Sequence, residues 1–326
     1  MEQIFENIYR IGVPLPGSPL RELSCWFVKG LPGERNLMVD CGFNNDACEQ
    51  AVRAALDELG CTMDDTDIFL THLHADHTGL CGRLKTAHNR VYIRACDGAR
   101  VNGFLTDAYW DNMRAFLPPM GVPEADRMDV RDHPAYKNRI SAPVDFTDVN
   151  DGWRISVGGY HFEAVDLAGH TPGQLGLWER EKKFMLSGDH VLARITPNIC
   201  LWDYDNDYLA IYLRNLKKVK TMQLDTLLTA HRKVITEVDA RIDELTAHHA
   251  RRLDEICNIL ENGDATVWQL AHAMHWDFGT GSFADFPPSQ RWFALLEVFA
   301  HAEHLRRIEK VSCDKQESGW LYHMNH

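Results

Sequence analysis

Five short apolar runs along this chain share one habit. NLMVD, DIFLTH, EAVDLAGH, KFMLSGD and DTLLTAH are strand-like, and they stop at Asp40, His72, His170, Asp189 and His231, residues able to bind a metal. Between and around them, ACEQAVRAALDELG, TGLCGRLKTAH and DYLAIYLRNLKKVK repeat apolar residues at spacings of three and four, which predicts helices. Strands alternating with helices predict an α/β fold. In such a fold, residues delivered from several strand ends converge on one rim of a sheet.

The regularity fades from Gly98 to Val149, a stretch rich in aromatics, Met and Pro. It is too long for a simple connection, and it reads either as a lid or pocket wall or as a surface helix with an apolar face. After His231 the pattern changes to a long charged helix around DARIDELTAHHARRLDEICNILENG, then TVWQLAHAM and SQRWFALLEVFAHAEHLRRIEKV. The end, KVSCDKQESGWLYHMNH, predicts two short strands about a turn near Glu317, Ser318 and Gly319. Helices followed by a hairpin suggest a winged-helix-like appendage. The expected division is 1–235 for a catalytic domain, with 98–149 inserted near its active site, and 236–326 for the appendage.

Composition narrows the picture. A chain of 326 residues with 45% apolar residues can bury a full core. No apolar run approaches the roughly 20 residues needed to span a bilayer, and MEQIFENIYRIG lacks signal-peptide features, so no membrane partner and a cytoplasmic location are expected. The nine cysteines are scattered without a CxxC pair, which reads as reduced thiols. A formal net charge of −13 repels polyanions unless a local basic strip opposes it.

The densest chemistry lies in Thr71-His72-Leu73-His74-Ala75-Asp76-His77, where four ligand-type residues stand at positions i, i+2, i+4 and i+5. One continuous helix would not gather them, since i and i+2 face different sides, but a loop leaving a strand would. Imidazole nitrogen and carboxylate oxygen suit divalent metals such as zinc, and an open catalytic site takes three or four protein ligands. Four residues cannot fill two such sites. His170 in AGHTPG, Asp189 in LSGD and His231 in TAH supply the rest.

HLHADH, the later GHTPG, the SGD turn and the last strand-end histidine together resemble the metallo-β-lactamase superfamily, from about Ile8 to Ile235. The resemblance implies a four-layer αββα sandwich. It implies His72, His74 and His170 as ligands of a first metal and Asp76, His77 and His231 as ligands of a second. Asp189 would bridge them, and Asp40 would orient the ligand loop. Asp76 and Asp189 are the catalytic candidates. Two divalent ions are expected, zinc first, with iron or manganese compatible with the same donors. Two positions depart from the pattern of relatives: TAHRKV lacks glycines flanking His231, and Gln174 stands where glyoxalase-II-like hydrolases often carry other residues.

Two neighbouring metals can lower the pKa of a shared water and so provide hydroxide near neutral pH. The expected reaction is hydrolysis of an ester-like bond (thioester, lactone or carboxylic ester) in a small molecule. The alternative is a phosphodiesterase or endoribonuclease acting on RNA, which the net charge opposes and the strips RRLDE, LKKVK and HLRRIEK could favour. A non-catalytic or redox role is the third reading, and the complete ligand set argues against it. His190 is read either as a support for Asp189 or as the start of the next loop. Trp202, Tyr204 and Tyr208 are candidates for a pocket wall, as are Trp110, Phe116 and Met120, though all could simply pack. The histidines at 248, 249, 272, 275, 301 and 304 read as solvated or satisfied within the fold. The apolar faces of RWFALLEVFAHAEHL would pack on the core or on a second subunit in a homodimer.

Overall fold

The computed structural model describes residues 1–277 and 281–325. Strands β1 (Glu2–Phe5), β2 (Ile8–Pro14), β3 (Glu22–Val28), β4 (Asn36–Val39), β5 (Thr66–Phe69), β6 (Val91–Ile93) and β7 (Thr147–Asp148) form one sheet in chain order. It is antiparallel as far as β4 and parallel beyond it. The second sheet has the order β12-β11-β10-β9-β8, built from β8 (Arg154–Val157), β9 (Tyr160–Asp166), β10 (Leu175–Glu179), β11 (Phe184–Gly188) and β12 (Thr226–Thr229). Only β11 and β12 pair in parallel there.

Alternation of side chains explains why these strands read as continuous apolar runs. In β3, Trp26 and Val28 face the second sheet, while Cys25 and Phe27 face outward into a separate apolar layer. In β11, Phe184 and Leu186 face the first sheet and Met185 faces away from it. Both faces are therefore buried, and the outer ones are covered by helices. Helix α1 (Asp46–Leu59) packs its Val52 and Leu56 against the first sheet, capped by Asn45 at its start and by left-handed Gly60 at its end. Helices α7 (Tyr208–Thr221) and α8 (Val238–Leu260) cover the second through Leu209, Leu216, Ile242 and Leu245. The result is the four-layer αββα arrangement.

The run TGLCGRLKTAH departs from its predicted helix. It holds the end of α2 (Ala75–Thr78) and the single turn α3 (Cys81–Leu84), and Lys85 is already extended. Gly79 and Gly82 weaken helix propagation there, and the Leu80 N–H donates to the Gly42 carbonyl. The 98–149 segment carries α4 (Ala95–Gly103), α5 (Asp107–Arg114) and α6 (Pro134–Asn138) within or beside it.

The C-terminal part adds α9 (Val267–Ala273), α10 (Pro288–Arg307) and the hairpin β13 (Val311–Gln316) and β14 (Gly319–Met324), which turns at Glu317-Ser318. Helix α10 is buried over most of its circumference, His301 and Glu303 included. Its Trp292, Leu295, Leu296 and Phe299 share one buried cluster with Leu117 and Met120 of the inserted segment and with Phe27 and Met38 of the first sheet. No helix among the described residues is long and apolar enough to cross a membrane.

Candidate metal centre

The ligand-type residues lie beyond strand ends, in the segment after β5 and in the first turn of α2, which carries Asp76 and His77 with His74 at its N-cap. His72, His74 and His170 bring ligand atoms within 4.8 Å of one another, as do His72, His77 and Asp189, and Asp76, His77 and His231. His74 Nδ1 lies 3.1 Å from His72 Nε2 and 3.0 Å from His170 Nε2. Asp189 reaches across the groups: its Oδ2 is 3.6 Å from His77 Nε2 and 3.8 Å from His170 Nε2, and its Oδ1 is 3.6 Å from His231 Nε2. Asp76 Oδ2 stands 3.3 Å from His231 Nε2.

Hydrogen bonds behind the rings fix which nitrogen faces inward. His77 Nδ1 donates to Asp40 Oδ2 (2.8 Å), His170 Nδ1 to the Asn198 carbonyl (2.6 Å) and His231 Nδ1 to the Glu22 carbonyl (3.0 Å). The Thr71 hydroxyl, already donating to Asp40, accepts from His72 Nδ1 at 3.0 Å. In its neutral form each of these four rings thus turns an Nε2 lone pair toward the centre, the form a metal requires, while His74 presents Nδ1. His77 Nε2, His231 Nε2 and Asp189 Oδ1 are buried and have no hydrogen-bond partner among the described residues. Buried polar atoms without partners are costly, so this converging donor set fits divalent cations.

Electrostatics agree with that fit. Burial, then neighbouring imidazoles, holds His72 and His74 neutral, well below the usual histidine range. For the carboxyls, burial would favour the protonated form, but with no cation bound it is outweighed by positive charge on His77 and His231, whose pKa Asp40 and Asp189 raise against the effect of burial; a bound cation would take the place of those protons. These charges hold Asp76 down to about 2 and Asp189 lower still.

The framework is equally specific. Asp40 sits at the end of β4 with φ of 61°, a left-handed conformation Asp tolerates better than most residues, and accepts from the Thr71 N–H at 2.8 Å. Gly188 before Asp189 has φ of 52°, and a Cβ there would lie 2.7 Å from Thr71 Oγ1. The departure at Gln174 has a local role: with its amide oxygen facing the turn, it accepts from the His190 and Asp189 N–H groups at 2.8 and 3.1 Å. Asp97, which no motif singled out, ties the two ligand loops together. Its Oδ2 accepts from the Leu73 N–H (3.0 Å) and the Thr171 hydroxyl (2.7 Å), and its Oδ1 from the Gly173 N–H (2.8 Å). A lone acid on α4 gives no sequence signal for such a contact.

His190 does not touch the donor cluster through a hydrogen bond. Among the described residues its buried ring nitrogens have no hydrogen-bond partner, and the ring packs edge-on against Tyr212, 5.2 Å away. Beside His74 lies a cavity of about 220 Å³ with apolar walls including Leu73, Phe104, Met113, Phe116 and Leu296. Arg100, Asn112 and His133 add polar groups to it. Trp202 lines it, with its ring 6.0 Å from that of His74 and its indole N–H donating to the His170 carbonyl. Tyr204 and Tyr208 are not among the residues lining this cavity. Tyr204 packs on Phe116, Phe299 and Trp320 at a partly exposed surface, and the Tyr208 hydroxyl is spent on Asp203. Trp110 and Met120 are core residues, the Trp110 indole bonding the Phe104 carbonyl.

A sandwich of two sheets with histidines and aspartates clustered at its strand ends defines a metal-dependent hydrolase. The metallo-beta-lactamase superfamily model matches residues 20–231, and the chain belongs to that superfamily. It is similar over nearly its whole length to the probable metallo-hydrolase YqjP of Bacillus subtilis, at 23% identity over 318 residues covering 94% of each chain. The crystal structure of a metallo-beta-lactamase family protein from Thermus thermophilus superposes with a TM-score of 0.83 at 25% identity, covering 99% of this chain and 100% of that one. A hydroxyacylglutathione hydrolase of Bdellovibrio bacteriovorus is 22% identical over 63% of this chain and 57% of its own.

Proposed function

We propose that this hydrolase cleaves an ester-like acyl bond, a thioester first among them, in a small molecule, using two divalent cations, most simply zinc. His72, His74 and His170 would hold one cation and Asp76, His77 and His231 the other, with Asp189 shared. Such cations lower the pKa of water toward neutrality and polarise the acyl oxygen. Asp76 and Asp189 stay ionised and balance the positive charge. Asp40, Asn198 and Glu22 orient His77, His170 and His231, and Thr71 orients His72, so these donors need little reorganisation.

The observation that carries the acyl reading is the apolar cavity of about 220 Å³ that includes His74 in its wall. An apolar acyl group placed there would present its carbonyl to the donor cluster, whereas a nucleic-acid backbone would gain little from such walls. Similarity to a hydroxyacylglutathione hydrolase supports the same bond class. The test is turnover by metal-loaded protein of a matched thioester, lactone, carboxylic ester and phosphodiester, with Asp189→Ala as background. Acyl cleavage that the variant loses is the expected result, and cleavage of the phosphodiester alone would overturn the reading.

A further inference from the structure

His133 stands apart from the donor cluster, in the wall of the same cavity. The residue is 8% exposed and its ring is surrounded by aromatic rings: Trp110 at 5.8 Å, Trp292 at 6.3 Å and Phe293 at 5.3 Å between centroids. The residue caps α6, its Nδ1 accepting from the Ala135 N–H at 3.2 Å. A nitrogen that accepts carries no proton, so the proton of the neutral ring lies on Nε2. That N–H has no acceptor among the described residues. Burial reinforces the neutral state, holding the ring down to about 4.

The position of this donor relative to the donor cluster gives it meaning. Phe293 touches both rings, lying 6.5 Å from His74 and 5.3 Å from His133. His74 and His133 both line the cavity, so a group filling it meets both side chains. A cavity of about 150 Å³ accommodates benzene, so about 220 Å³ takes an acyl group of a ring plus a few atoms. Arg100 and Asn112 also line the cavity, but an ionised oxygen placed at His133 itself would sit against Trp110, Trp292 and Phe293 with a neutral donor, at a desolvation cost. A neutral oxygen would satisfy the N–H without that cost.

We propose that His133 recognises substrate: its Nε2–H receives a keto, ether or hydroxyl oxygen on the distal part of a ring-sized acyl group. The inference rests on the acyl-hydrolase reading for its biological meaning and names the substrate class as oxygenated acyl esters or thioesters. Plain hydrocarbon acyl groups would leave the donor bare.

The experiment needs no turnover. The metal-loaded full chain is titrated by ligand-observed NMR with acetophenone and with ethylbenzene, molecules of similar shape, one of which carries a carbonyl oxygen. Wild type is compared with His133→Phe and His133→Asn, and the asparagine retains the cap on α6 while withdrawing the distal donor. The acetophenone-to-ethylbenzene affinity ratio is expected to fall roughly fivefold in both variants, the scale of one net hydrogen bond. A ratio unchanged in either variant, or no binding of either molecule to wild type, would overturn the proposal. A ketone held by the cations instead would keep its advantage in the variants and count against it. The hydrolase reading would survive that failure, because it stands or falls on the turnover panel.

Discussion

Asp40 and His77 are joined by a 2.8 Å hydrogen bond between a carboxylate and an imidazole that are both buried, and the same carboxylate holds the Thr71 N–H and hydroxyl. One acid at the end of β4 thus sets both the tautomer of His77 and the start of the loop that carries four of the donors. Asp40→Ala is expected to weaken zinc binding 10- to 100-fold. Competition against a chelator checks this, and unchanged affinity would show that the loop holds its own geometry.

Asp97 acts on the loops rather than on the donors. Removing its carboxylate leaves the Leu73 and Gly173 N–H groups and the Thr171 hydroxyl without their acceptor. At about 1 to 3 kcal/mol for each buried group left unsatisfied, Asp97→Ala should be among the most destabilising single changes in the chain. Urea denaturation measures the loss, and a change below about 1 kcal/mol would contradict the assignment.

Acid should destabilise the protein through histidines that fold in their neutral form. Burial holds His133 down to about 4 and His301 down to about 3. The unfolded chain takes up protons near pH 6.5, the folded chain only well below that, so stability falls as pH drops through this window. Each group contributes on the order of 2 kcal/mol between pH 7 and pH 5. His301→Gln is expected to flatten the pH dependence of Tm over that range, while an unaltered slope would place the titration elsewhere.

The C-terminal helices bear on the centre as well as on stability. Asn198, whose carbonyl accepts from His170, donates its amide N–H to Glu297 on α10 at 2.6 Å. Glu297→Ala should therefore lower kcat more than it raises KM, by roughly tenfold. Deleting residues 236–326 is expected to give insoluble protein, because α10 shares its buried cluster with the first sheet and the inserted segment. A soluble, folded 1–235 fragment would establish the independent domain that composition suggested.

The strands and the donor cluster were legible because both follow short-range rules. Two-faced burial makes apolar runs, and the ligand spacing at 72–77 cannot belong to one helix face. Asp97 and His133 were not legible. Each is an ordinary polar residue in its own segment, and its partners, Thr171 for one and Phe293 for the other, are brought to it only by tertiary packing. The same holds for Tyr204 and Tyr208, close in sequence to Trp202 but turned toward α10 and Asp203. Gln174 shows the converse. Its departure from the expected pattern became intelligible once its amide was seen to hold the turn that carries Asp189.

The most direct test of the central claim is the rate of thioester cleavage as zinc is added back to metal-stripped protein. The account predicts no turnover without metal and a rise to a plateau at two equivalents per chain, with Asp189→Ala flat throughout. Cleavage that proceeds equally in the stripped protein, or that Asp189→Ala retains, would contradict it.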